Sequence, residues 1–219
     1  MNKLNTRELQ RQFSTPRAIL DFDFVERRYS WGGVQKVPSN FATFTLNGCT
    51  FSDRGLDLTN DPDISVLLSE VGAVIPGTML VVASLITSPA STRSIAQLDD
   101  TLANERIAIR QTTVSQFNFL IVDGAVNQVN TSSSNLSTFN IPHCGVFSYQ
   151  TDLLDAIANG ATVFQDTAAT MPTVTHLRIG HSAAGNPALV HVQRVVLWDV
   201  VFSVSRLREL SCQFRHMYM

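Results

Sequence analysis

Asp21 and Asp23 alternate with Leu20, Phe22 and Phe24 near the start of the chain, and a pair of acids is the first requirement of a glycan-cleaving centre. Hydrolysis of a glycosidic bond ordinarily takes two carboxyl groups facing each other across a groove, one protonated and one ionised. These two aspartates instead share one face of a strand, opposite the apolar residues, which predicts a solubilising, solvent-facing edge. No Glu-x-Asp or Glu-x-x-Glu pattern on a later strand supplies an opposing acid. The expectation is a protein without a catalytic centre.

Asp99, Asp100 and Asn104 carry oxygen ligands close enough in sequence to be calcium candidates. Adjacent aspartates followed by an asparagine are also ordinary hairpin formers, and no further spaced oxygen ligands accompany them. No other cofactor is implied. His143, His176, His181, His191 and His216 are scattered, and the His176–His181 spacing across Gly180 does not put both rings on one strand face, so no zinc pair is expected. Cys144 follows Pro142 and His143 into an apolar strand, where a small buried thiol is the plain expectation and a nucleophile the sharper one. Tyr29 and Trp31, in Tyr-Ser-Trp-Gly-Gly, are the sugar-stacking candidates, with a lid on the core as their alternative role. Asn135, in the polar loop Asn130–Thr138, joins them as a glycan-contact candidate. Trp198 lies inside an apolar run and is expected in the core.

The elements that must hold these residues are strands. Candidates bounded by Gly, Pro, Asn or Asp run at Leu20–Phe24, Ala42–Leu46, Cys49–Phe51, Leu56–Leu58, Ile64–Leu68, Met79–Ile86, Arg93–Leu98 and Arg106–Arg110. They continue at Phe117–Val122, Gln128–Thr131, Gly145–Thr151, Ala161–Gln165, Thr175–Gly180 and His191–Val201. The longest apolar runs, 78–86 and 195–202, exceed simple alternation and predict central strands covered on both faces. Ser203–Cys212 predicts one helix, capped by Ser203, with Val204, Leu207, Leu210 and Ser211 along one side. The fold class is therefore all-β: a two-sheet sandwich with a short C-terminal helix.

At 219 residues, 44% hydrophobic and 16% charged, the chain has the material for one large sandwich. Residues 1–17 carry Lys3, Arg7, Arg11 and Arg17 against Glu8 and predict a docking arm ahead of a sandwich at 18–219; the run is too short, and too poor in stacking aromatics, to indicate nucleic-acid binding. Cys49, Cys144 and Cys212, odd in number and widely spaced, imply reduced thiols. No stretch resembles a secretory signal or a membrane span, which predicts synthesis in a cytosol and no membrane partner.

Four segments in order carry a resemblance. Leu98–Arg110 resembles the "D-G-T-x-x-N-R-I" hairpin of concanavalin A-like (laminin G-like) jelly-roll modules in tailed-bacteriophage structural proteins. Ala158–Val174 resembles their "N-G-x-x-V-x-D-x-x-A-x-x-P" turn and strand, Leu177–Gly180 their "L-x-I-G" strand, and Val192–Leu210 their final strand and helix. Leu102 stands where the hairpin glycine is usual, and the proline before the last helix is absent. The resemblance implies a virion component in a tail, fibre or capsid decoration, in contact with other virion proteins and assembled as a homo-oligomer, with a trimer expected. The alternative function is a lectin-like receptor-binding protein touching host surface glycans, and a polysaccharide depolymerase comes third.

Overall fold

A computed structural model describes residues 17–31, 34–36, 45–47, 49–59, 63–102, 104–136, 138–180 and 188–219. The expected arm lies outside these residues except for Arg17, which is exposed.

Strands run in chain order as β1 (Leu20–Asp23), β2 (Arg28–Trp31), β3 (Val34–Lys36), β4 (Thr45–Asn47), β5 (Thr50–Ser52) and β6 (Gly55–Asp57). Next come β7 (Asp63–Leu67), β8 (Gly77–Leu85), β9 (Arg93–Asp99), β10 (Arg106–Gln111), β11 (Phe117–Asp123) and β12 (Val126–Ser132). The last are β13 (Pro142–Gln150), β14 (Leu153–Ala158), β15 (Ala161–Asp166), β16 (His176–Ile179) and β17 (Val190–Trp198), followed by helix α1 (Val204–Met217). They form two antiparallel sheets. Ten strands make the first, ordered β15-β14-β13-β8-β17-β1-β2-β3 with the β5-β6 hairpin beside β17, and seven make the second, ordered β12-β11-β10-β9-β16-β7-β4. The all-β sandwich with one C-terminal helix is the observed architecture.

The two long apolar runs behave as their composition demands. Along β8, Met79, Val81, Ala83 and Leu85 enter the core between the sheets, while Leu80 and Val82 enter a second apolar layer on the opposite face. In β17 a bulge between Val192 and Arg194 shifts the alternation: Val190 and Val192, then Val195 and Leu197, face the inter-sheet core. Val196 and Trp198 join Leu80, Val82, Cys144, Val146 and Ile157 in the second layer. Two-sided burial, at about 25 cal/mol per Å² of apolar surface, is why these strands read as continuous hydrophobic runs. Edge-on aromatic pairs, Phe22–Tyr29 at 5.4 Å and Phe119–Phe147 at 5.5 Å, fill the inter-sheet core.

Helix α1 covers the second layer. It starts where Ser203 Oγ accepts from the Arg206 backbone N–H, lays Leu207, Leu210 and Phe214 on the sheet, and runs five residues past the predicted end. Its presence corrects the expectation for the first strand. Asp21 and Asp23 sit beneath the helix side of the sheet, where Arg194 reaches both, and Asp23 is 4% exposed. They are counter-ions of Arg194, Asp23 buried and Asp21 partly so, rather than a solvent-facing edge. Two further differences concern short or polar strands: β14 and the β2-β3 hairpin were not predicted, since Leu153-Leu-Asp-Ala-Ile-Ala158 has no clean alternation and Arg28–Lys36 reads as a polar turn region.

Candidate functional site

With α1 packed on β8, β13, β14 and β15, one face of the ten-stranded sheet is closed and the other faces the core. The seven-stranded sheet is different. Its inner residues, among them Ile107, Ile109, Phe119, Ile121, Leu98 and Leu177, fill the core, and the alternate residues form an outer face with no described helix upon it.

Strand register lays that outer face out in rows. The central row runs Asn130, Leu120, Ala108, Gln97, Arg178 and Ser65 across six of the strands. On one side lie Asn127, Val122, Arg106, Asp99, His176 and Leu67. On the other lie Ser132, Asn118, Arg110 and Ser94. A bulge at Ile95 lets both Ile95 and Ala96 enter the core and turns Ser94 outward beside Arg110. Arg106 and Arg110 therefore flank the small Ala108 on one strand, about 13 Å apart at Cα by the ordinary strand rise. Arg178 stands two strands away in the Ala108 row.

The floor between them is apolar. Ala108, Leu120 and Val122 pack together with at most 3% exposure. Around it the guanidiniums are held at fixed angles. Asn118, 5% exposed, accepts Arg110 Nε at 2.9 Å and Nη2 at 2.6 Å on its Oδ1, while its amide donates to Thr131 O at 2.9 Å and Asn130 Oδ1 at 3.0 Å. Asn130 Oδ1 also accepts Arg110 Nη2 at 3.2 Å. Arg178 Nε meets Asp99 Oδ1 at 3.3 Å in an ion-pair contact that falls short of hydrogen-bond geometry. Arg106 Nε is buried with no hydrogen-bond partner among the described residues.

Three guanidiniums thus face one carboxylate, since Asp99 is the sole acid in these rows. Burial lowers the pKa of Arg110, and the neighbouring charge of Arg106 lowers it further. Burial likewise lowers Arg106, with Asp99 opposing the shift. The face holds more positive charge than its own counter-ions satisfy. Chemically it can recognise a planar or tetrahedral anion attached to a body with an apolar side; with its single acid already engaged, it does not present the opposed pair that general acid and base hydrolysis needs.

The residues singled out from the sequence go elsewhere, with one exception. Tyr29 is 4% exposed and stacks edge-on with Phe22 and Phe24, so its ring lids the core and offers no face to a sugar. Trp31 ends β2, and its side chain lies outside the described part of the structure. Asn135 is exposed in the loop after β12. Asp99 is the exception: it is wholly buried, accepts from the Thr101 backbone N–H and from the Gln97 amide, and neutralises Arg178. Asp100 accepts from the Leu102 backbone N–H, and Asn104 is exposed, its carbonyl receiving the Ala125 N–H. Both aspartates act as turn acceptors. Among the described residues no three His, Cys, Asp or Glu side chains gather to hold a metal ion. Arg106, Arg110 and Arg178 were missed as a site. The signal was present in Arg106-Ile-Ala-Ile-Arg110, whose period of two sends both arginines to the face away from the isoleucines.

No protein-family model matches the sequence, and no curated protein does. Solved structures share the fold. The CBM40 domain of Ruminococcus gnavus IT-sialidase, solved bound to alpha2,3 sialyllactose, superposes with a TM-score of 0.54 at 10% identity over 65% of this chain and 86% of that domain. Trypanosoma rangeli sialidase superposes with a TM-score of 0.65 at 12% identity over 92% of this chain and 34% of the enzyme, and its complex with sialic acid gives 0.65 at 14%. At such identities the likeness shows a shared β-sandwich fold alone.

Proposed function

We propose that this chain is a non-catalytic carbohydrate-binding module whose glycan surface is the outer face of the seven-stranded sheet. The observation that carries the reading is the arrangement around Ala108: a small apolar floor of Ala108, Leu120 and Val122 ringed by Arg106, Arg110, Arg178, Asn118 and Asn130. Sugars carry hydroxyl and acid oxygens that the guanidinium donors of such a ring can meet. The fold likeness to a domain solved with a bound sialylated trisaccharide supports it, and so does the single acid of the site, already committed to Arg178.

This favours the glycan-binding alternative over the virion scaffold expected first. Placement on a phage particle, as a receptor-binding component, rests on the sequence resemblance and not on the fold likeness. A broad glycan array probed with the purified chain tests the reading. Specific binding is expected, and it is lost when Ala108→Trp fills the floor while the circular dichroism spectrum stays that of a β protein. Absence of binding to every glycan, or binding untouched by Ala108→Trp, overturns it.

A further inference from the structure

We infer that the glycan taken by this face is acidic, its carboxylate or sulfate seated over Ala108 between Arg106 and Arg110, with Arg178 closing the third side. The inference rests on the carbohydrate-binding reading and names the chemical class of its ligand.

Charge count is the first argument. A face meant for neutral sugars needs hydroxyl partners such as Asn, Gln and Asp, and here those residues are occupied by the protein itself. Asn118 holds Arg110 on its carbonyl oxygen and the β12 backbone on its amide. Gln97 takes a hydrogen bond from Ser94 Oγ at 2.8 Å and spends its amide on Asp99. What lacks a full set of partners is cationic: Arg106 Nε is buried and unpartnered among the described residues, Arg178 Nε is buried with only its off-angle contact with Asp99, and Arg110 is bound by neutral amides, while all three side chains stay partly exposed.

Preorganisation is the second. Three buried side chains of the same rows hold the arginines in place: Asn118 bonds Arg110, and Gln97 bonds the Asp99 that meets Arg178. Burial lowers the pKa of both Arg106 and Arg110, and at Arg110 the neighbouring charge of Arg106 lowers it further, so these charges sit on a partly desolvated surface at a cost. An incoming anion relieves it, and planar guanidinium forks match carboxylate and sulfate oxygens two at a time. Asp99 keeps the balance from tipping further: it neutralises one cation and leaves two for the ligand.

The test uses the intact chain on an array holding sialylated, uronate-bearing, sulfated and neutral glycans, followed by titration of the best acidic ligand and its desialylated or desulfated counterpart. Acidic glycans are expected to bind at least tenfold more tightly than their neutral counterparts, and Arg106→Gln with Arg110→Gln is expected to abolish that preference. Carboxylated and sulfated arms identify which anion is taken. Binding of neutral glycans with equal affinity overturns this inference and leaves the carbohydrate reading intact. Binding of no glycan overturns both, and inorganic phosphate or sulfate captured as tightly as any glycan shows an inorganic-anion site and overturns the inference as well. Should the double variant fail to fold, the salt dependence of the unmodified chain decides: acidic-glycan affinity that does not fall between low and physiological salt also overturns it.

Discussion

Arg194 and Asp21 meet in a two-point ion pair between adjacent strands, Nε to Oδ1 at 2.7 Å and Nη2 to Oδ2 at 2.6 Å. The arginine side chain is 5% exposed, with the Phe214 ring 4.8 Å from its guanidinium carbon and Asp23 at 3.9 Å. Burial alone would lower the Arg194 pKa, but the charge and hydrogen bonds of Asp21 outweigh it and hold the guanidinium above its ordinary range. The pair therefore ties β1 and β17 to the underside of α1. Replacing Arg194 by Met strands Asp21 without its cation, and a buried pair broken on one side typically costs about 3–5 kcal/mol. A lower urea midpoint at unchanged slope is the expected readout, and adding Asp21→Asn to Arg194→Met should recover part of the loss.

His143 gives the fold a pH dependence. Its Nδ1 accepts from the Asn159 amide at 2.9 Å, so its Nε2–H donates to Thr138 O at 2.9 Å and the ring is neutral. Burial pushes its pKa below the ordinary 6.5, the backbone bond to Thr138 opposes the shift, and the Arg215 charge adds to it. The folded value lies below the unfolded one, so the unfolded chain binds the extra proton first. This contribution is complete above about pH 6.5 and is lost as the pH falls from there through the folded value. Urea unfolding across that range should show stability declining with acid, and His143→Gln should flatten the decline.

Gly55 opens β6 directly after the turn from β5, at φ +107°, and a Cβ added there would stand 2.2 Å from the Val192 carbonyl oxygen. The obstacle is backbone of β17, which cannot rotate aside. Gly55→Ala should therefore unpair β6 from β17 and cost about 2 kcal/mol or more, from positive-φ strain and the displaced ladder together. Thermal unfolding of the variant checks it, and a melting temperature within a degree of the parent's would count against the packing described.

The sandwich was legible because its strands must bury one or both faces, and burial writes itself into the sequence as alternation or as apolar runs; Met79–Ile86 could hardly be anything else. What could not be read was which polar residues share a face. Asp21 and Asp23 looked solvent-facing because nothing local announces that a helix nearly two hundred residues later will lie over them. Tyr29 looked like a sugar platform because Trp31 and two glycines follow it closely, while its partners Phe22 and Phe24 are set by strand pairing. The site itself depends on register. Arg106 and Arg110 are recoverable from one strand, but Arg178 joins them only through β9, where Gln97 pairs with Ala108 on one side and Arg178 on the other.

That arrangement implies a trade between stability and binding. Arg106 is half-buried, its Nε is unpartnered among the described residues, and burial lowers its pKa against the smaller opposing pull of Asp99, so on balance the fold disfavours its charge. Because the folded pKa lies below the unfolded one, the charged side chain works against folding at neutral pH. Arg106→Met keeps an unbranched stem opposite Val122, its cross-strand partner, and removes the charge. Stability should rise by about 0.5–1 kcal/mol, as when a strained functional group is relieved, while affinity for an acidic glycan falls at least tenfold. Chemical denaturation and titration of the same preparation read both. A variant that loses stability and binding together would make Arg106 a structural residue, and one that keeps full affinity would remove it from the site.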